Sequence, residues 1–286
     1  MSTLPNKIDF AVVFRVTNAN PNGDPLNGNR PRVTYDGLGE LTDVCLKRKI
    51  RNRLMEAGKP IFVQSDDNKV DNHPNLKSRA DVVLSTEKTI KGKIDKSCNT
   101  WFDVRAFGQL FPFKGAAKKG KGKAGEEEGD DKGVSIGIRG PVSVQSAFSI
   151  APVSHLVTSN QITKSTSNEG DGINRQSDQM GMKHRVDHGI YVFFGSMNPQ
   201  LAEKTGFSDA DAEAIKQMLP RLFENDASSA RPEGSMEVLK VIWWKHNCKA
   251  GQYSSAKVHR TLSVKTDGSC ELASLDGLKP EELNGF

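Results

Sequence analysis

The residues best suited to binding chemistry lie in a loop rich in asparagine, glycine and proline at positions 18–39. Its central segment, NPNGDPLNGNRPR at Asn20–Arg32, is too rich in turn-forming residues to make a regular helix or strand. Long ordered loops are usually functional, and exposed loop amides together with arginines can bind successive phosphates. The residues predicted to bind RNA in this loop are Asn20, Asn22, Asn29, Arg30 and Arg32.

A basic helix is predicted directly after this loop, over Leu41–Ala57, because its leucines and isoleucine recur at i,i+4 spacing. The helix carries the basic residues Lys47, Arg48, Lys49, Arg51 and Arg53. Lys47 and Arg51 share one stripe, which could continue a row of phosphate contacts. A solvated helix face with no ligand explains the same pattern. We predict Lys47, Arg48 and Arg51 as RNA-binding residues and leave the structural alternative open.

Two predicted strands carry polar side chains that nucleic acid could contact. Arg105 lies within WFDVRAFGQ, where its guanidinium must reach solvent, a carboxylate or a phosphate, so an intrachain ion pair fits as well as RNA. In Gly140–Val153, alternation places Gln145 and small residues on one face and mainly apolar residues on the other. Such a face could support bound RNA, with Gln145 as a contact, although any half-exposed strand alternates in the same way.

A polar excursion, Ser154–Arg185, is predicted to be a projecting hairpin because serine, threonine, asparagine, glutamine and glycine dominate it. It ends in QMGMKHR, where methionines stand beside basic residues. That combination can insert an apolar side chain at a base step while the cations hold the backbone. Ordinary surface charges at a hairpin base are the alternative. The predicted RNA contacts here are Met180, Met182, Lys183, His184 and Arg185.

Catalysis and metal binding have little support in the sequence. It contains no GxSxG, Walker or GxGxxG motif, and its four cysteines and six histidines lack metal-ligand spacing. We therefore expect no catalytic residue, no metal and no cofactor. A loop aspartate can still assist RNA cleavage with a metal ion, and Asp24 is the candidate for that alternative.

Composition constrains the class of protein only weakly. The excess of 40 Lys and Arg over 35 Asp and Glu gives a net charge of +5, which is too small to establish nucleic-acid binding by itself. No apolar run approaches the roughly 20 residues that a membrane helix needs, and Met1–Lys7 is too short and polar for a secretory signal. We expect a soluble, cytoplasmic protein without membrane contact.

The elements that must position these residues alternate between strands and helices. The predicted strands, including the two just described, are Ile8–Val16, Asp81–Lys88, Phe102–Phe107, Val134–Ile138, Val142–Ile150, His188–Phe194, Met236–His246 and Val258–Lys265. A second helix is predicted from Asp209 to about Asn225, capped by Ser208 and kinked at Pro220. Residues 114–133 lack large apolar side chains and are predicted to be disordered. This order fits an α+β fold, a split βαβ sheet of ferredoxin or RRM type with large insertions.

Taken in order, several motifs resemble the repeated backbone subunit of type I CRISPR surveillance complexes (Cascade), most closely that of subtype I-C. They are NPNGDPLNGNRPR, the basic helix, DVRAFGQ, GPVSVQSAFSIAPV and QMGMKHRVDHGIYVFFGSMNP. The resemblance spans Ile8 to about Trp244, except for 114–133. It implies one domain over 1–286, a modified RRM-like palm with a helical fingers insertion near 60–133 and a thumb hairpin at 154–185.

The resemblance also implies a function. Copies of such a subunit form a helical filament along the guide RNA (crRNA), with the paired target DNA strand and the other Cascade subunits as further partners. A subunit that must accept any guide should bind phosphate and ribose and leave the bases free to pair. The implied role is a non-catalytic scaffold. The alternative is a related backbone subunit that also cleaves target RNA through a loop aspartate.

Overall fold

The computed structural model describes residues 2–113, 134–153, 156–164 and 178–286, so the predicted disordered insertion lies outside the described residues. The strands are β1 (Ile8–Ala19), β2 (Gly23–Asp24), β3 (Arg30–Pro31), β4 (Leu38–Leu41), β5 (Gly108–Phe113), β6 (Val134–Arg139), β7 (Val142–Val144), β8 (Ala147–Pro152), β9 (Leu156–Lys164), β10 (Asp178–Met197), β11 (Met236–Lys245), β12 (Leu262–Val264), β13 (Cys270–Leu272) and β14 (Glu281–Asn284). The helices are α1 (Asp43–Glu56), α2 (Leu76–Leu84), α3 (Ile90–Thr100), α4 (Phe102–Phe107), α5 (Pro199–Thr205), α6 (Asp209–Met218) and α7 (Ser255–His259).

The main sheet is antiparallel and has the strand order β14-β11-β1-β10-β8-β4, with β7 and β9 also paired to β10. Strand β1 occupies a central position, and most of its side chains are apolar and buried on both faces. The predicted combination of helices with an antiparallel sheet is confirmed. The structure also confirms the strands predicted at Ile8–Val16 and Met236–His246 and the helix predicted at Leu41–Ala57. Each has slightly shifted ends.

One face of the sheet packs against α1, α5 and α6 in the main hydrophobic core. Helix α1 contributes Leu46, Ile50 and Leu54, the i,i+4 stripe that predicted it. Aromatic rings of the sheet stack beneath the helices, as Phe10 does on Trp243 with ring centroids 5.5 Å apart. The helices and the sheet face therefore bury each other.

The other face of the central strands is covered by the segment from α7 to Leu278, through a second apolar cluster. Within it, the carboxylate of Asp9 is fully buried and accepts a hydrogen bond from Nε2 of His246 at 2.9 Å. Nδ1 of the same ring accepts from the backbone N–H of Gln252 at 2.9 Å, which fixes the tautomer. Burial alone would raise the pKa of Asp9, but the hydrogen bond from His246 and the proximity of His259, 3.4 Å away, outweigh it and lower that pKa below its ordinary value. This buried network fastens the covering segment to β1.

A third apolar cluster lies apart from the sheet and is built by α2, α3, α4, β5 and β6. Phe62 and Trp101 form its centre, with ring centroids 4.7 Å apart. Strand β5 pairs with β6 across residues 114–133. Residues from about 61 to 139 thus contain a core of their own.

Two segments predicted as strands in this region are helical. Asp81–Lys88 overlaps the end of α2, where Ala80 and Leu84 are buried one turn apart. Phe102–Phe107 is α4, in which Phe102 and Ala106 face the main core while Val104 faces the third cluster. A short segment that is apolar on two sides has no clear period, and so helix and strand cannot be distinguished from sequence.

Two further boundaries differ from prediction. Val258–Lys265 divides into the end of α7 and β12 because Ser254 caps a short helix there. The capping box at Ser208 is confirmed, with Asp211 as its partner, but α6 ends at Met218 and not near Asn225. A 3-10 turn containing Pro220 follows, since proline lacks the N–H that would continue the helix.

Candidate nucleic-acid interface

Several predicted site residues meet in a cleft beyond the C-terminal end of β1, a central strand of the main sheet. The loop that follows β1 forms one wall, the base of the β9–β10 hairpin forms the second, and a turn at 229–230 forms the third. We call it the loop-hairpin cleft, and its lining residues are Asn20, Gly28, Asn29, Gly181, Met182, Lys183, His184, Ser229 and Ala230. Because elements cover the central strands on both faces, the end of β1 is a more accessible place for a nucleic acid than the faces of the sheet.

Asn20 lies where the walls of the cleft meet. Its backbone N–H donates to the carbonyl of Ala230 at 2.9 Å, and its Nδ2 donates to the carbonyl of Asn29 at 2.7 Å. The residue is 4% exposed, and its side-chain oxygen Oδ1 has no hydrogen-bond partner among the described residues. Asn20 therefore joins two walls and keeps one acceptor unused.

Asn22, a predicted RNA contact, makes intrachain hydrogen bonds. Its Oδ1 accepts from the backbone N–H of Thr42 at 3.0 Å and from the hydroxyl of Thr42 at 2.9 Å. Thr42 in turn caps α1 by accepting from the N–H of Cys45. Asn22 thus attaches the loop to the first turn of α1, and its side-chain oxygen is already used.

The remaining charged residues of the loop differ in exposure. Asp24 accepts from the backbone N–H of Leu26 at 3.2 Å and lies 3.4 Å from Nη2 of Arg32. Arg30 is exposed on β3. Gly28 and Asn29 adopt the left-handed conformation, with φ of 58° and 57°, and turn the chain back into β3. The loop is therefore a folded hairpin rather than an irregular excursion.

The base of the β9–β10 hairpin supplies the second wall, and the predicted hairpin is confirmed over the described residues. Pairing with β9 runs from Asp178 to Val186, whereas pairing with β1 begins only at Val186. Met182 is 69% exposed, His184 is buried and Nε of Arg185 lies 3.5 Å from Oδ1 of Asp187. The side chain of Met180 lies outside the described part of the structure.

The basic side chains of α1 are occupied within the chain. Arg51 donates from Nε to Asp103 at 2.9 Å, and Asp103 also accepts from the N–H groups of Phe62 and Val63. Arg48 donates to the carbonyl of Val63 at 2.6 Å. Burial, followed by the neighbouring Arg51, lowers the pKa of Arg48. These two arginines fasten α1 to the third cluster, which differs from the predicted row of phosphate contacts.

The other α1 cations are also paired. Lys47 contacts Asp43 at 2.9 Å on the helix surface, and Arg53 pairs with Glu56. Lys49 is almost fully buried and pairs with Asp226, which also accepts from Nε of Arg231 at 3.1 Å. The contact between Lys49 and Asp226 holds the turn that contributes Ser229 and Ala230 to the cleft.

Arg105 forms the intrachain ion pair that the sequence left open. It donates from Nε and Nη2 to the two carboxylate oxygens of Asp211, at 3.0 and 2.8 Å. Burial would raise the pKa of Asp211, but the hydrogen bonds from Arg105 and Ser208 outweigh it, and the pKa is lowered. Arg105 thus ties α4 to the start of α6.

Gln145 is exposed but does not line the cleft. It lies in a break between β7 and β8, and this two-residue break reverses the predicted alternation. Ala147 and Ser149 are buried, whereas Phe148 is 39% exposed. The predicted continuous polar face is therefore wrong from Ala147 onward, because residues in a break no longer alternate with the strand.

Two groups of important residues were missed by sequence reasoning. Ser229 and Ala230 lie in the segment NDASSARPEG, whose small residues indicate a turn but no ligand. Asp103 pairs with Arg51 and Asp226 pairs with Lys49, although both aspartates lie far along the chain from α1. No sequence signal pairs such residues, since these ion pairs exist only in the folded chain.

No group of three or more His, Cys, Asp or Glu residues is arranged to hold a metal ion in the described ranges. All four cysteines are free. Among the described helices, none has the length and apolarity to cross a membrane.

The family model for CRISPR-associated protein Cas7 matches residues 6–279, which is nearly the whole chain. The chain belongs to the Cas7 family. The CRISPR-associated protein Cas7 of Haloferax volcanii is 28% identical over 281 residues, which cover 96% of this chain and 80% of the relative. The predicted family is confirmed, while subtype I-C stays a prediction.

Two solved structures are also similar. A chain of a CRISPR RNA-guided surveillance complex is 14% identical with a TM-score of 0.42, covering 92% of this chain and 77% of its own. A chain of such a complex in a pre-nicking state is 12% identical with a TM-score of 0.40, covering 83% and 78%.

Proposed function

We propose that this chain is the crRNA-binding backbone subunit of a Cascade surveillance complex, present in several copies along the guide. Membership of the Cas7 family supports this role. The observation that carries the proposal is the loop-hairpin cleft, which unites Asn20, Asn29, Lys183 and His184 from segments that the sequence had separately indicated for RNA.

The cleft has the chemistry expected for recognition of a sugar-phosphate backbone. Lys183 can pair with a phosphate, and the hydroxyl of Ser229 and the amide of Asn20 suit oxygen atoms of phosphate or ribose. Contacts of this kind are independent of base identity. A guide held this way keeps its base edges available for the target strand, which a subunit serving many guides requires.

We propose the finer architecture that the family resemblance implies. The order β11-β1-β10-β8, with α1 and α6 as its helices, is that of a split βαβ sheet and supports an RRM-like palm. The third cluster, within about 61–139, would be the fingers, and the β9–β10 hairpin would be the thumb. Subtype I-C remains part of the same proposal.

The proposed partners are crRNA, the target DNA strand paired to it, further copies of this chain and other Cascade subunits. Copies in a filament meet through head-to-tail contacts between different surfaces. The net charge of only +5 suits such packing, since strong like charge would oppose it. A cytoplasmic location belongs to the proposal.

Salt dependence of RNA binding tests the cleft. Lys183→Ala should reduce the slope of log K against log salt by roughly one unit for unrelated RNA sequences alike, because the variant neutralises one phosphate fewer. Lys249→Ala is the matched control. Lys249 follows β11 near Ile8, at the end of β1 that is remote from the cleft, and its side chain is half exposed. Weaker binding confined to one RNA sequence, or an unchanged slope, would reject the cleft as the RNA site.

We also propose that the chain does not cleave RNA. The carboxylate of Asp24 is engaged with Leu26 and Arg32, which supports a structural role. Assembled complex incubated with complementary RNA and Mg²⁺ should leave that RNA intact. Regularly spaced cuts that disappear in Asp24→Asn would instead establish the enzyme alternative.

A further inference from the structure

The side chain of Asn20 has a fixed orientation within the loop-hairpin cleft. Its Nδ2 faces the carbonyl oxygen of Asn29 at 2.7 Å, and a flipped amide would place two oxygen atoms against each other. The backbone of the same residue is held by the carbonyl of Ala230. Oδ1 must therefore point away from the Asn29 carbonyl, and it cannot exchange places with the nitrogen.

That oxygen is a buried acceptor without a donor among the described residues, and it belongs to a residue that lines the cleft. Buried acceptors are almost always paired, and leaving one unpaired is costly. The cleft thus lacks one hydrogen-bond donor, which a ligand can supply.

The chemistry of nucleic acids restricts what that donor can be. Phosphate oxygens only accept hydrogen bonds at neutral pH, so they cannot pair with Oδ1. Base N–H groups donate, but they change with sequence and must stay free for the target strand. The 2′-hydroxyl of ribose is the donor present at every nucleotide of RNA, and DNA lacks it.

We propose that Oδ1 of Asn20 accepts a hydrogen bond from a guide ribose 2′-hydroxyl, and that this hydrogen bond makes the subunit select RNA over DNA. The inference rests on the proposed function and adds its sugar specificity. Lys183, on the facing wall, would hold an adjacent phosphate without contributing to that selection.

Entry of the ribose requires the cleft to open, because Oδ1 is shielded from solvent in the free chain. The wall formed by Gly181–His184 is suited to such movement. Among the described residues, its strand pairs with β9 in this region, and pairing with β1 begins at Val186. Two-stranded ribbons are weakly stable by themselves, so this wall can shift more easily than the sheet.

The test compares one oligonucleotide with 2′-hydroxyl, 2′-fluoro or 2′-deoxy sugars. The 2′-fluoro sugar keeps the RNA-like pucker but cannot donate a hydrogen bond. The wild-type chain should bind the hydroxyl form more tightly than the fluoro form. We expect a difference in affinity of roughly tenfold for each hydrogen bond that is lost with the hydroxyl. Equal binding of the two forms by the wild-type chain overturns the inference without any variant.

Variants then assign the preference to Asn20. Asn20→Ala should bring the hydroxyl-to-fluoro ratio close to one, mainly by weakening binding of the hydroxyl form. Lys183→Ala is the matched control and should weaken all forms equally.

The outcomes separate the inference from the function on which it rests. If Asn20→Ala weakens both forms equally and the ratio persists, Asn20 only supports the loop and the inference fails. A buried water on Oδ1 would give that same result. If the wild-type chain binds none of the three oligonucleotides, the proposed RNA-binding function itself fails.

Discussion

Two basic regions of this chain look alike in sequence and differ in the folded protein. Helix α1 carries five Lys and Arg residues, and each has an intrachain partner, from Asp43 on the surface to the buried Asp103. The hairpin base carries Lys183, His184 and Arg185, of which the first two line the loop-hairpin cleft. The denser basic region is thus mainly structural, and the sparser one borders the candidate interface.

The comparison shows that the density of positive charge is a poor guide to a binding surface. A cation used to join two elements has lost the freedom to pair with phosphate. Arg48 and Arg51 of helix α1 contact the residues around the third cluster, and Lys49 pairs with Asp226, which precedes the turn at 229–230. The helix therefore positions the cleft without lining it.

The largest effect should come from Arg51→Ala. This change leaves the carboxylate of Asp103, which is 1% exposed, without its cation, and we expect a decrease of about 3 kcal/mol in the free energy of unfolding. Chemical denaturation measures it. The slope of RNA affinity against salt should not change in the folded variant. If the variant is as stable as the wild type and its RNA affinity depends less steeply on salt, Arg51 contacts RNA.

A smaller effect is expected from Asp211→Asn, because Arg105 keeps some exposure to solvent. The pKa of Asp211 lies below its ordinary value of 3.8, so its stabilisation is present above that pH and is lost as pH falls through the folded-state pKa. The free energy of unfolding of the wild type should exceed that of the variant by roughly 2 kcal/mol at pH 7. The difference should shrink on acidification below the ordinary pKa. A difference that stays constant across that range would exclude the ion pair as its source.

The smallest effect should come from Lys47→Ala, which removes a surface i,i+4 pair with Asp43. We expect a decrease of about 0.4 kcal/mol in unfolding free energy and an unchanged salt slope of RNA binding. The same two measurements on Lys183→Ala should give the opposite pattern, with stability near wild type and a flatter slope. If Lys47→Ala flattens the slope as much as Lys183→Ala, the division between the two regions is wrong.

Sequence patterns predicted those elements whose apolar side chains lie on one face or alternate regularly. Helix α1 and strands β1 and β11 belong to this group. Prediction failed at α4, which is buried on two sides, and at the break between β7 and β8, where alternation is interrupted. In both places the tertiary surroundings determine the pattern, so the local sequence is ambiguous.

The sequence by itself determined the family, because several motifs occur in the expected order. It also indicated two walls of the cleft, through a turn-rich loop and a polar hairpin. Only the tertiary structure decided which polar groups remain available. Arg51 meets its carboxylate 52 residues away and Arg105 meets its partner 106 residues away, while the oxygen of Asn20 meets none among the described residues. Such pairings depend on chain segments brought together by burial of apolar surface, and residue type and local spacing do not encode them.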